Sequence, residues 1–190
     1  MKKSTIILIA VLSVVILFVL WGIGVRNDFV SKEEEVRLQA SQVETQLQRR
    51  SDLIPNFVAT VKGYAAHEEE VYTAIADARA KLSGAIGDSD VGAINEASAE
   101  LESALSRLLV VVENYPELKA NENFIALQDE LAGTENRINK ARQEYNEVVA
   151  SYNKKLKLFP QNIIASMSGF EEAEYFEAAE GSEKVPNVEF

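Results

Sequence analysis

Apolar residues run without interruption only once, from Ile6 to Val25, where Ser13 is the sole polar side chain among 20 residues. At about 1.5 Å per residue the run spans about 30 Å, the hydrocarbon thickness of a bilayer. A cleaved signal peptide and a buried core helix are the competing readings. The apolar region of a signal peptide is shorter, about 7–15 residues, and ends in a small-x-small site. Gly22-Ile23-Gly24 resembles such a site only weakly, and Trp21 stands where an interfacial aromatic belongs. The run reads as an uncleaved transmembrane anchor. Lys2 and Lys3 before it face Arg26 and Lys32 after it. That small bias places the N-terminus in the cytoplasm and the rest of the chain on the extracytoplasmic side of the cell membrane.

Beyond the run, apolar positions recur at spacings of three and four, the period of an amphipathic helix. Val36, Ala40, Val43 and Leu47 lead into Arg50 on a first helix over 27–50. Pro55 lacks an N–H and belongs in a helix's first turn, so Asp52 is read as an N-cap and a second helix as starting at Leu53. One continuous helix kinked at Pro55 is the alternative. The second helix, over 53–83, carries Phe57, Val61, Tyr64, Glu68, Val71 and Ile75 on one stripe, and Glu68 also lies on the adjacent one. Ser83-Gly84 and Gly87 to Asp90 read as its stop. A third helix over 91–114 faces Ile94, Leu101, Leu105, Leu108 and Val112 inward and ends at Tyr115-Pro116. Asn121 is placed as the N-cap of a fourth helix, over 122–158. There Phe124, Leu131, Ile138, Tyr145, Tyr152 and Phe159 recur every seven residues, the seam of an antiparallel bundle. Ile163, Ile164, Met167 and Phe170 are expected to cap the bundle end. The fold expected is all-α: an N-terminal transmembrane helix followed by an antiparallel four-helix bundle. Its segments are a short basic flank (1–5), the transmembrane helix (6–25), the bundle (26–170) and an acidic C-terminal tail (171–190).

Several motifs in this order resemble the LemA family. They include Gln48-Arg49-Arg50, Asp52-Leu53-Ile54-Pro55-Asn56, Val61-Lys62-Gly63-Tyr64 and Glu113-Asn114-Tyr115-Pro116-Glu117-Leu118. Thr134-Glu135-Asn136, Phe159-Pro160 and the closing Pro186-Asn187-Val188-Glu189-Phe190 continue the match, which covers about residues 27–190. The resemblance implies a membrane-anchored helical bundle and implies no reaction. It also implies that Val185 to Phe190 docks back on the bundle, against the plain reading of a solvated acidic tail.

Composition narrows the chemistry. There is no Cys, which excludes disulfides, thiolate metal sites and a cysteine nucleophile, and there is one His, His67. No nucleophile-base arrangement forms around a single helical His, and no phosphate loop follows a strand. No catalytic, cofactor-binding or metal-ligating residues are assigned. The formal charge is −11, with every acidic residue after the apolar run. That argues against nucleic acid as a partner and against electrostatic docking on anionic headgroups. What remains is a candidate structural polar network of Arg50, Glu68, Glu135 and Arg142, charged residues on or beside apolar stripes. Arg142 is expected to pair with Glu68, and Arg50 with a carboxylate nearer the bundle end. The function expected is that of a non-enzymatic scaffold or adaptor for envelope or membrane partners. The alternative is a binding module for a small ligand or cation within the bundle. Partners are the membrane, through one integral helix, and unidentified proteins, with a homo-oligomer left open.

Overall fold

The computed structural model describes residues 3–177. Among them every regular element is helical. The helices are α1 (Lys3–Lys62), α2 (Glu69–Asp88), α3 (Val91–Val112), α4 (Pro116–Lys119), α5 (Glu122–Lys157) and α6 (Gln161–Ser168). The chain divides into two compact units: Met1–Gln39 with Glu147–Ala173, and Ala40–Asn146 with Glu174–Phe190.

The expected turn at Pro55 is absent. Residues 27–50 and the start of the second predicted helix belong to α1, which runs 60 residues with Pro55 inside it. The physical reason lies 24 residues away on α2. Proline lacks the N–H that would have bonded the carbonyl of residue 51. Arg79 Nε donates to that Ser51 carbonyl at 3.0 Å and to Ser51 Oγ at 3.2 Å. Ser51 is fully buried, so this guanidinium satisfies the acceptor that proline orphans. Asp52 is not a cap; its carboxylate accepts from Gln48 at 2.8 Å, one turn back in the same helix.

The real break lies at residues 63–68. The Val61 carbonyl accepts from Tyr64 N and Ala65 N, and α2 begins after Glu68. Tyr72 on α2 reaches back, its hydroxyl donating to the Ala65 carbonyl at 2.7 Å. Gly84 and Gly87 are not a stop but lie within α2, which ends at Ser89 in the left-handed conformation (φ 52°). Asp90 caps α3 by accepting from Ala93 N at 2.9 Å. Asn121 caps α5 as expected, accepting from Asn123 N and Phe124 N. The second unit's core is built from the predicted stripes. Leu47, Ile54, Phe57 and Val61 of α1 are buried with Ile94, Leu101 and Leu108 of α3 and Phe124, Ile138 and Tyr145 of α5. Phe57 stacks on Phe124 with centroids 5.2 Å apart. Arg49 pairs with Glu130, so α1 and α5 run antiparallel here.

In the first unit α1 and α5 are also antiparallel. Asp28 pairs with Lys155, and Lys32 meets Ser151. Phe29 is fully buried against Tyr152 and Phe170, with centroids 6.4 and 5.2 Å away. The heptad seam stops at Tyr152, because α5 ends at Lys157 and Phe159 is 81% exposed. The expected apolar cap is likewise split. Ala165 is buried and Phe170 packs on Phe29, while Ile163 and Met167 point outward. From Ile6 to Leu20 the large apolar side chains of α1 are all exposed.

Candidate functional site

The second unit holds a compact group of charges. Arg50 of α1 donates through Nη1 to Glu135 Oε2 of α5, and its side chain is 13% exposed. Arg142 stands one heptad beyond Glu135 on α5. Burial lowers its pKa, the charge of Arg50 adds to this, and Glu135 and Glu102 oppose it. Glu102 of α3 thus joins Arg50, Glu135 and Arg142 in a group of two cations and two anions. The Nε atoms of Arg50 and Arg142 are buried, and neither has an acceptor among the described residues. Beside the group lies a cleft of about 260 Å³ whose walls include Phe57, Leu105, Leu109 and Leu131, with Arg50 and Glu135 at its polar side.

Glu68 is not part of this group. It occupies the turn before α2, half exposed, and its charge acts on Tyr72. The proposed Glu68–Arg142 pair does not form, because the apolar stripe that seemed to carry Glu68 is interrupted by the break at 63–68. Arg50 takes Glu135, and Arg142 lies over the ring of Phe176 at 5.7 Å from the centroid. Both cations are therefore held, one by an ion pair and one by a cation–π contact.

Phe176 belongs to the acidic tail, whose described part, residues 171–177, has no regular structure. It is not simply solvated. Phe176 is 3% exposed and meets Tyr145 edge-on at 4.8 Å. Asn146 brackets its backbone, accepting from Phe176 N at 2.9 Å and donating to its carbonyl at 2.8 Å. In the first unit Asn153 does the same for Ala173, at 2.9 and 2.8 Å. Tyr145 Oη donates to the Glu174 carbonyl at 2.9 Å. Asn146 and Asn153 were legible as polar residues beside the seam; their bidentate role needed the tail's path. The expected docking of Val185 to Phe190 concerns residues outside those described.

Two results follow from these contacts. Asn146→Ala and Asn153→Ala should each cost about 1–3 kcal/mol, since each strands a backbone donor and acceptor. Limited proteolysis should then cut within 171–177 faster than in the native chain; an unchanged rate would show that the brackets do not hold the tail. Burial raises the Tyr145 pKa, and the Glu174 charge adds to it. A raised pKa means that the folded state keeps the phenol proton more tightly. The associated stability is full below the unfolded value of about 10 and is lost as pH rises through the folded value. Tyr145→Phe should therefore lose less stability than the native chain between pH about 9 and 11; parallel alkaline declines would remove that role.

Described residues whose regular elements are all helical, one long apolar N-terminal helix and a part-buried group of charges on α1, α3 and α5 define a class of membrane-associated helical proteins. A profile of the LemA family matches residues 39–190. The chain belongs to the LemA family. It is similar to the magnetosome protein MamQ 2 of Paramagnetospirillum magneticum, 30% identical over 174 residues, covering 80% of this chain and 64% of that protein. MamQ of Magnetospirillum gryphiswaldense is 27% identical over 173 residues, covering 79% of this chain and 64% of that one. Protein LemA of Metamycoplasma hominis is 25% identical over 179 residues, 94% of this chain and 80% of that one. The chain thus spans less than two thirds of the MamQ proteins' length.

Proposed function

We propose that this protein is a single-pass membrane-anchored helical bundle of the LemA type, acting as a non-enzymatic scaffold or adaptor for envelope or membrane partners. The observation that carries the reading is α1. Its first part exposes every large apolar side chain from Ile6 to Leu20, and the same helix continues into the buried core at Val43, Leu47 and Ile54. The segment that would anchor the chain and residues of the second unit's core thus belong to one helix. In this reading the anchor ends near Val25, the bundle lies on the extracytoplasmic side, and four helices pack antiparallel: the later part of α1, α2, α3 and α5. The acidic surface suits solubility and cationic partners. Crosslinking in native membranes with mass spectrometry tests the adaptor role. Recurrent links to the same envelope proteins are expected; links only within this chain would contradict it.

A second reading is a small-ligand site. It is favoured by the apolar cleft beside Arg50 and Glu135 and by the Nε of Arg50, a lining residue, which has no acceptor among the described residues. An amphiphilic molecule with one polar end would suit it. A thermal-shift screen with such ligands and with divalent cations should raise the melting temperature if the cleft is occupied, and leave it unmoved if the scaffold reading alone holds.

A further inference from the structure

The first unit presents a second apolar surface next to the anchor. Leu158 and Phe159 follow the end of α5, and Ile163 and Met167 lie on α6; all four are exposed, Phe159 and Met167 by 81% and 80%. Residues 158–170 contain no charged side chain. Such a cluster on an isolated short helix would carry little weight, but its height along α1 is fixed by contacts within the unit. Asp28 pairs with Lys155 and Lys32 with Ser151, so each step up α1 is an equal step back along α5. That register sets Lys157 level with Arg26, the first residue beyond the apolar run. The chain then continues past this level toward the anchor. A methyl group placed on Gly22 would touch Ile164 Cδ1 at 3.5 Å, so α6 lies against the last turn of the apolar run, beside Trp21. Trp21 is the residue expected at the membrane–water boundary. Lys154, Lys155 and Lys157 fill the last turn of α5, just outside that boundary.

We propose that Leu158, Phe159 and α6 form a second membrane contact, an interfacial foot whose apolar side chains enter the outer acyl region of the bilayer beside the anchor. The inference rests on the transmembrane reading of Ile6 to Val25. The occupant is lipid, because the surface is continuous with the lipid-facing side of α1 and its exposed polar side chains, Asn162, Ser166 and Ser168, are uncharged, as suits the headgroup boundary. Short interfacial helices bury an apolar face at the headgroup–acyl boundary in this way, with basic residues on the water side. The foot braces the helix that emerges from the membrane and fixes how the first unit stands on the bilayer surface. The interaction is apolar, so it needs no anionic lipid, in keeping with the acidic character of the chain.

The protein has no Cys, so single cysteines can be introduced without background. The full chain, reconstituted in phosphatidylcholine vesicles, would carry an environment-sensitive dye at Met167→Cys, at Phe159→Cys or, in a separate sample, at Val14→Cys. Quenching is read with lipids spin-labelled near the headgroup or near the chain end. The expected result is blue-shifted emission at 159 and 167, quenched more by the shallow label than by the deep one, and deep quenching at 14. Quenching at 14 with water-like emission and no lipid quenching at 159 and 167 would overturn the foot and leave the anchor standing. No lipid quenching at any of the three would overturn the anchor and the foot with it.

Discussion

Glu135→Ala should destabilise the helical domain by about 3–5 kcal/mol, the largest loss expected of any single charge in the chain. The change leaves the Arg50 guanidinium, 13% exposed, without its carboxylate. It also removes the leading anion that offsets the desolvation of Arg142, so two part-buried cations would face only Glu102. Arg50→Ala should be milder, about 3 kcal/mol, because Glu135 keeps Arg142 nearby as a counter-charge. Both residues act on one pair, so the double variant should lose clearly less than the sum. Chemical denaturation of the full chain in detergent, followed by helical circular dichroism, measures all three. Additive losses, or a milder effect at Glu135 than at Arg50, would show that the group is not coupled as described.

The second large effect is expected at Arg79, which no charge count singles out. Arg79→Ala should cost about 1.5–3 kcal/mol, because it removes a charged donor from a buried carbonyl that has lost its helical partner to proline. The cause can be isolated. Pro55→Ala restores an N–H to the Ser51 carbonyl, so in the Arg79→Ala background it should recover much of the loss. In the native background the same substitution should change stability far less, since the acceptor is already satisfied. Denaturation midpoints of the two singles and the double would decide it; an Arg79→Ala loss that Pro55→Ala fails to reduce would separate Arg79 from the proline.

These two sites mark where the sequence was informative and where it stopped. The apolar stripes were legible: Leu47, Ile94, Leu101, Leu108, Phe124 and Tyr145 are all buried as their spacing implied. Asn121 was legible as a cap because its partners lie two and three residues away. Pro55 was not, because the local rule that proline starts helices was overruled by a guanidinium on another helix, contact that no periodicity encodes. Gly84 and Gly87 were misread as a stop for a related reason: neighbouring packing carries α2 past them until Ser89 turns left-handed. Glu68 looked like a core charge only while the helix was taken to continue through it. Arg50, Glu135 and Arg142 were recognisable as charges beside apolar stripes, and the structure gathers them, but in a different pairing. Glu102 and Phe176 were missed. Glu102 is one of many acidic residues on a helix surface, and Phe176 sits in a stretch whose charge suggested solvent.

The account depends most on α1 starting in the bilayer. Alkaline carbonate extraction of membranes carrying the full chain, with intact-mass measurement of the recovered protein, tests this most directly. A chain retained in the membrane pellet, still bearing Ile6 to Val25, with a variant lacking that run released to the supernatant, is the result predicted. A protein that begins near Val25, or a full chain that leaves with the supernatant, would contradict it.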